Sequence, residues 1–253
     1  MQKLFDFFNQ LKFRYLLTRS IVRVGKNTTV FIDKNVCISH SKINIFSGSK
    51  LTVEENVTIK NVILNIDGEV YIGKNTIIDN GYQLYKIKIN VKGNMYILNN
   101  SRIRCANIWI RFGGVLRIGN YTNINEESEI RVDEQISIGD YNQISYKCVI
   151  WDTNTHNIYP AKERRNQAEK YFPLFGYEFE KPKTKKVMIG NDCWIGREVA
   201  ILKGTTINNG CIIAYRAIVS NCEIESGKLI VSQVNNVIYK TEVNDTRNSN
   251  SSI

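Results

Sequence analysis

Histidine and proline are scarce in this chain: two histidines and three prolines among 253 residues. Two imidazoles exclude a zinc centre built on three histidine ligands. No C-x-x-C spacing occurs among Cys37, Cys105, Cys148, Cys193, Cys211 and Cys222, which removes a zinc ribbon or a redox pair. Most of these cysteines fall in apolar, strand-like stretches, where a reduced thiol behaves as a small hydrophobe. No segment reaches the roughly 18 apolar residues needed to span a bilayer. The first twenty residues, MQKLFDFFNQLKFRYLLTRS, lack the uninterrupted apolar run and small-residue cleavage site of a signal peptide, so cytoplasmic residence is the expectation. There is no Gly-rich nucleotide-binding motif upstream, and no nucleic-acid-binding module accompanies the net charge of +10. That charge favours anionic partners without choosing among them.

What the chain does have is a six-residue rhythm. Ile189, Ile195, Ile201, Ile207, Ile213 and Val219 return every sixth position. Four places after the first five of them stand compact residues: Cys193, Val199, Thr205, Cys211 and Ala217. Upstream, Ile118, Ile124, Ile130 and Ile136 keep the same step, which resumes after a two-residue shift at Ile138, Ile144 and Ile150. An aliphatic-Gly pair recurs at Val24-Gly25, Ile72-Gly73, Ile118-Gly119, Ile138-Gly139 and Ile189-Gly190. Six matches neither the helical period nor simple alternation. It fits a solenoid in which each hexad is one short strand and one turn, and three hexads, about eighteen residues, close one coil. The cysteines at 193 and 211 are then core filler rather than nucleophiles. Residues 21–115 repeat less cleanly, yet segments such as Leu51-Thr52-Val53-Glu54-Glu55-Asn56-Val57 extend the solenoid through them.

Two segments break the rhythm. Residues 2–17 place Leu4, Phe8, Leu11 and Tyr15 on one helical face. Segment 1–20 is read as an amphipathic cap over the first open coil, with weak peripheral membrane contact through Lys3, Lys12, Arg14 and Arg19 as the alternative. Residues 241–253 form a polar tail. Between Ile150 and Val187 the hexads stop for a long excursion, 151–186, and then resume in step. A solenoid gains nothing structural from such a loop, so it is where function is expected. It carries His156. The other histidine, His40, lies within Ser-His-Ser and is read as a solvent-facing turn residue.

The stretch KKVMIGNDCWIGREVAILKGTTINNGCIIAYRAIVS, preceded by Asp152-x-x-x-His156, resembles the signature of hexapeptide-repeat acyltransferases, in particular the branch that O-acetylates polysaccharides and related sugars. The match covers residues 118–220. The resemblance implies an all-β left-handed parallel β-helix that forms a homotrimer, with active sites between neighbouring subunits. It implies acetyl-CoA as co-substrate, no metal, and a carbohydrate acceptor, which the basic loop allows to be anionic. His156 would be the base that takes a proton from the acceptor hydroxyl. Asp152 would either hold the imidazole tautomer or cap a turn. Trp194 would line the thioester end of the groove; Arg197, Lys203 and Arg216 would meet cofactor phosphates, and Tyr215 would stack on adenine. Trp151 and Tyr159, flanking His156, are candidates to contact the acceptor. Where similar enzymes continue Ile-Gly-Ala-Gly-Ser, this chain has Ile213-Ala214-Tyr215-Arg216-Ala217. The alternatives are an N-acetyltransferase acting on an amino-sugar nucleotide, and a structural or binding solenoid without catalysis.

Overall fold

The computed structural model describes residues 17–174 and 180–232. The amphipathic face of residues 2–16 and the polar tail 241–253 lie outside the described residues. Strand pairing begins at Leu17–Thr18, inside the segment assigned to the cap.

Short strands form three parallel sheets of ten, nine and nine strands, which are the three faces of a prism. The chain visits the faces in fixed order: Gln143–Ile144 on the first, Val149–Trp151 on the second, Val187–Ile189 on the third, then Trp194–Ile195 on the first again. Every strand inside a sheet pairs with the strand one coil before and one coil after, so the chain is a parallel β-helix, as the hexads predict. Near the C-terminus the coil is eighteen residues, as in Ile195 beside Ile213. Earlier coils are longer, for example Ile103 beside Ile124, because their second- and third-face strands carry two or three inward residues instead of one. That extra pair, Leu116 with Ile118 and Ile136 with Ile138, is the physical origin of the two-residue shift in the sequence. It is also why the early repeats look irregular.

The inward aliphatics form one continuous core: Ile118, Ile124, Ile130, Ile136, Ile144, Ile150, Ile195, Ile201 and Ile213 are all sealed from solvent. Each buried side chain of this size contributes about 1.5–3 kcal/mol by leaving water. The recurrent glycine answers a close approach at the vertex. A Cβ on Gly190 would lie 2.4 Å from Asn209 Oδ1 and 2.9 Å from its backbone nitrogen, so no larger residue fits under the next coil. Further round that vertex the turns need a left-handed residue, supplied by Asn35, Asn56, Asn75 and Asn100. Their side chains bond in a ladder, with Nδ2 of each donating to Oδ1 of the next at 2.9–3.1 Å.

Cys105, Cys148, Cys193 and Cys211 are buried in the compact slot, whereas Cys37 and Cys222 are exposed. Burial pushes the Cys105 thiol up to about 12 and that of Cys148 up to about 11, so neither forms a thiolate near neutrality. Titration of the native protein with a chromogenic disulfide is expected to count two thiols, and six after unfolding. A third fast-reacting thiol in the native protein would contradict this packing.

Candidate functional site

The excursion leaves the prism between Val149–Trp151 on the second face and Val187–Ile189 on the third, at the vertex these faces share. Its two arms are tied where they emerge. Thr153 and Thr184 form an antiparallel bridge, Asn154 N–H donates to the Lys183 carbonyl at 3.0 Å, and Lys185 N–H donates to the Asp152 carbonyl at 2.9 Å. Further out, Asn157 Nδ2 donates to the Glu180 carbonyl, and Tyr159 Oη donates to the Glu180 carboxylate. The excursion also holds a helix, Ala161–Tyr171, with no buried residue. Its run of Ala, Lys, Glu, Arg and Gln has high helical propensity, a signal that the hexad search passes over.

Beneath the arms lies a compact polar root. Asp152 is fully buried, and its two carboxylate oxygens accept the backbone N–H groups of Asp133 and Glu134, each at 2.8 Å. The turn-capping role is therefore seen directly. Asp133, also fully buried, accepts a forked pair from Arg111, Nε at 2.9 Å and Nη2 at 2.7 Å. Arg111 Nη2 also donates to the Thr155 carbonyl at 3.4 Å, and Thr155 N–H donates to Thr153 Oγ1 at 3.0 Å. These bonds hold Thr155 at φ 65°, a conformation that a β-branched residue adopts only under external constraint. The next residue is His156, exposed at the rim of the root. Local strain thus sits one residue before the only histidine in the loop.

The other candidates divide between vertices and faces. Trp151, half-buried, ends the strand that enters the loop, and Lys203 sits on the same vertex in the following coil, in the turn between Ala200–Leu202 and Thr206–Ile207. Trp194 stands exposed on the first face, which lies opposite that vertex. Arg197, Tyr215 and Arg216 lie at the vertex between the first and second faces. There Arg216 Nε donates to Glu198 at 2.6 Å and Arg197 Nε lies 3.2 Å from the same carboxylate, which Arg216 holds below the usual carboxylate range. Arg216 also lies over the Tyr215 ring, 4.9 Å from its centroid. One chain therefore places Asp152, Trp151 and Lys203 at one vertex and His156 and Tyr159 in the loop that leaves it, and keeps Trp194, Arg197, Tyr215 and Arg216 on other sides of the prism. His40 is half-buried rather than solvent-facing: it occupies a left-handed turn position, φ 52°, and its Nδ1 is sealed from water.

Two features were not predicted. A groove of about 460 Å³ runs along the third face past Tyr96, Arg117, Met188 and Asn209, and none of the sequence-predicted residues lines it. On the second face, Trp109 and Arg131 stack with Trp151. Aligning the strands Asn-Ile-Trp-Ile, Glu-Ile-Arg-Val and Val-Ile-Trp by their inward isoleucine would have revealed that stack from the sequence.

The root generates a pH-dependent prediction. Burial pushes the Asp152 carboxyl up to about 6 against the pull of its amide donors, with the Asp133 carboxylate adding to the rise. The folded chain then holds this proton more tightly than the unfolded chain, whose carboxyl has the ordinary value of 3.8. The stability this group contributes is full below that value and is lost as pH rises towards 6. Asp152→Asn replaces this carboxyl with a neutral group of the same shape that does not titrate. Denaturant unfolding between pH 3.5 and 7 is expected to show the stability of wild type relative to Asp152→Asn falling as pH rises through the window. A relative stability that rises instead would refute the assignment.

No protein-family model matches the chain. A curated relative, the probable acetyltransferase Rv3034c of Mycobacterium tuberculosis, is 26% identical over 152 residues, covering 60% of this chain and 44% of that protein. The chain thus spans less than half the length of this relative. Among solved structures, the polySia-specific acetyltransferase NeuO superposes over 91% of this chain and 92% of its own with a TM-score of 0.53 at 18% identity. The polysialic acid O-acetyltransferase OatWY aligns over 90% and 96%, with a TM-score of 0.40 at 18% identity. Hexads, three-faced coil and near-complete overlap with NeuO identify the fold of this chain as that of the hexapeptide-repeat acyltransferases.

Proposed function

We propose that this protein transfers an acetyl group from acetyl-CoA to a hydroxyl of a cell-surface polysaccharide or related sugar, with His156 as general base. The observation that carries this reading is the loop root. The solenoid interrupts its longest regular run once, braces the interruption with two buried carboxylates and a strained threonine, and presents an imidazole at its rim. The likeness to acetyltransferases in both the curated relative and NeuO supports the same chemistry.

In the proposed reaction His156 accepts the proton of the sugar hydroxyl as its oxygen attacks the thioester carbonyl carbon. A carbon–oxygen bond forms, the carbon–sulfur bond breaks, and the imidazolium returns the proton to the departing thiolate. An imidazole suits both halves of this exchange. Asp152 acts by positioning, through the turn that it caps. Trp151 and Tyr159 flank the acceptor; Trp194, Arg197, Lys203, Tyr215 and Arg216 receive the acetyl donor.

His156 and Trp194 stand on opposite sides of one prism, so a site that uses both is composed from two chains. A homotrimer, in which the loop vertex of one subunit meets the first face of the next, satisfies that requirement. His156→Ala is expected to lower kcat/KM for acetyl transfer on the order of 10²–10⁴-fold while trimer mass and unfolding midpoint stay unchanged. The assay is release of free thiol from acetyl-CoA across a panel of capsule, O-antigen and sialylated glycans, with a nucleotide-linked amino sugar as the competing acceptor. Full turnover by His156→Ala would remove this residue from the reaction.

The two-chain site has its own test. Inactive His156→Ala and Trp194→Ala chains, unfolded together and refolded as mixed trimers, should regain about a quarter of wild-type sites, the fraction in which neighbouring chains supply both side chains. Absence of any recovery would place each site within one chain.

A further inference from the structure

The outer face of the second sheet changes character on approaching the loop. In the early coils its outward position holds an amide ladder, Asn44 to Asn65 at 2.6 Å and Asn65 to Asn90 at 2.8 Å. The same position then holds Trp109, Arg131 and Trp151 in successive coils, since Asn90 pairs with Trp109, Trp109 with Arg131, and Arg131 with Trp151. The Arg131 guanidinium carbon lies 5.0 Å from the Trp109 ring centroid and 4.7 Å from that of Trp151. Its Nε donates to Glu129 at 2.6 Å. Both flat faces are thus covered and one edge is used. The Nη1–Nη2 edge makes no hydrogen bond with any described residue.

A guanidinium clamped between two rings has already lost the rotational freedom that a free arginine gives up on binding, and it is partly desolvated. The open fork is a shape that fits a carboxylate. The indoles beside it provide apolar surface against the C–H groups of a sugar ring. Trp151 also carries a buried Nε1–H that finds no acceptor among the described residues. The stack leads to the loop: Asp152 follows Trp151 directly, and Arg111, two residues beyond Trp109, holds the carbonyl before His156.

We propose that Trp109, Arg131 and Trp151 form an acceptor subsite that selects a sugar bearing a carboxylate. As an acceptor subsite it rests on the reading of the chain as a sugar acetyltransferase; as a binding site it is tested without any acetyl donor. The probes are short oligomers of sialic acid and of galacturonic acid, each paired with the same oligomer after reduction of its carboxyl groups to alcohols. Titration calorimetry compares wild type, Arg131→Gln, Arg131→Met, which keeps an aliphatic stem between the rings, and Lys60→Gln, which removes one exposed charge from another face.

Wild type is expected to bind at least one charged oligomer ten-fold or more tighter than its reduced form. Both Arg131 variants should abolish that preference and Lys60→Gln should keep it. In transfer assays KM for the charged acceptor should rise in Arg131→Gln with KM for acetyl-CoA unchanged. The proposal is overturned if neither charged oligomer binds wild type, if a folded Arg131 variant retains the preference, or if the constant that moves is the one for acetyl-CoA. Binding that depends on Arg131 without transfer to any acceptor would leave the subsite standing and remove the acetyltransferase reading.

Discussion

Among the described residues, each interior strand finds its backbone partners in the coil below and the coil above. That constraint sets the rest. A coil must return in register after three short strands, so an aliphatic residue must turn inward at each face and a tight turn must follow it. A six-residue step is what such a path looks like when written out along the chain. Glycine at the vertex and asparagine in the left-handed turn are consequences of the same stacking, one because a Cβ there would lie within 3 Å of the next coil, the other because the turn demands positive φ.

Against so regular a frame, departures carry information. The prism tolerates a long excursion only if the residues that enter and leave are held by the neighbouring coils. Here this is done with charge. Asp152 satisfies two backbone donors of the coil below, and Asp133 in that coil is neutralised by the fork of Arg111. Burying two carboxylates close together opposes folding, and it is offset by four strong hydrogen bonds to them. The result is a braced platform in which Thr155, held in a left-handed turn, precedes an exposed imidazole. The helix beyond it buries no side chain.

The outer surface is organised by the same ladder logic. Side chains at one position recur about one strand spacing apart, so identical residues form amide ladders and alternating ones form stacks. Asparagines at the second face bond to one another. Tryptophan–arginine–tryptophan at the same position leaves donors open beside the loop. The prism also distributes its candidate residues to different sides.

The parallel β-helix was legible in the hexads because burial repeats wherever the backbone path repeats, and this periodicity survives any change in the turns. The position of the excursion and the candidacy of His156 were legible for the same reason, as a break in a pattern. Residues 21–115 were harder to read because two or three inward residues per second- and third-face strand stretch the coil beyond eighteen. The capping of Asp152, the strained backbone at Thr155, the half-burial of His40 and the stack around Arg131 were decided by tertiary structure alone. Each depends on what one coil places beside the next, about twenty residues away in sequence and one strand spacing away in space. A periodic sequence determines that coils stack; which side chains then meet across the stack depends on coil length, and coil length varies.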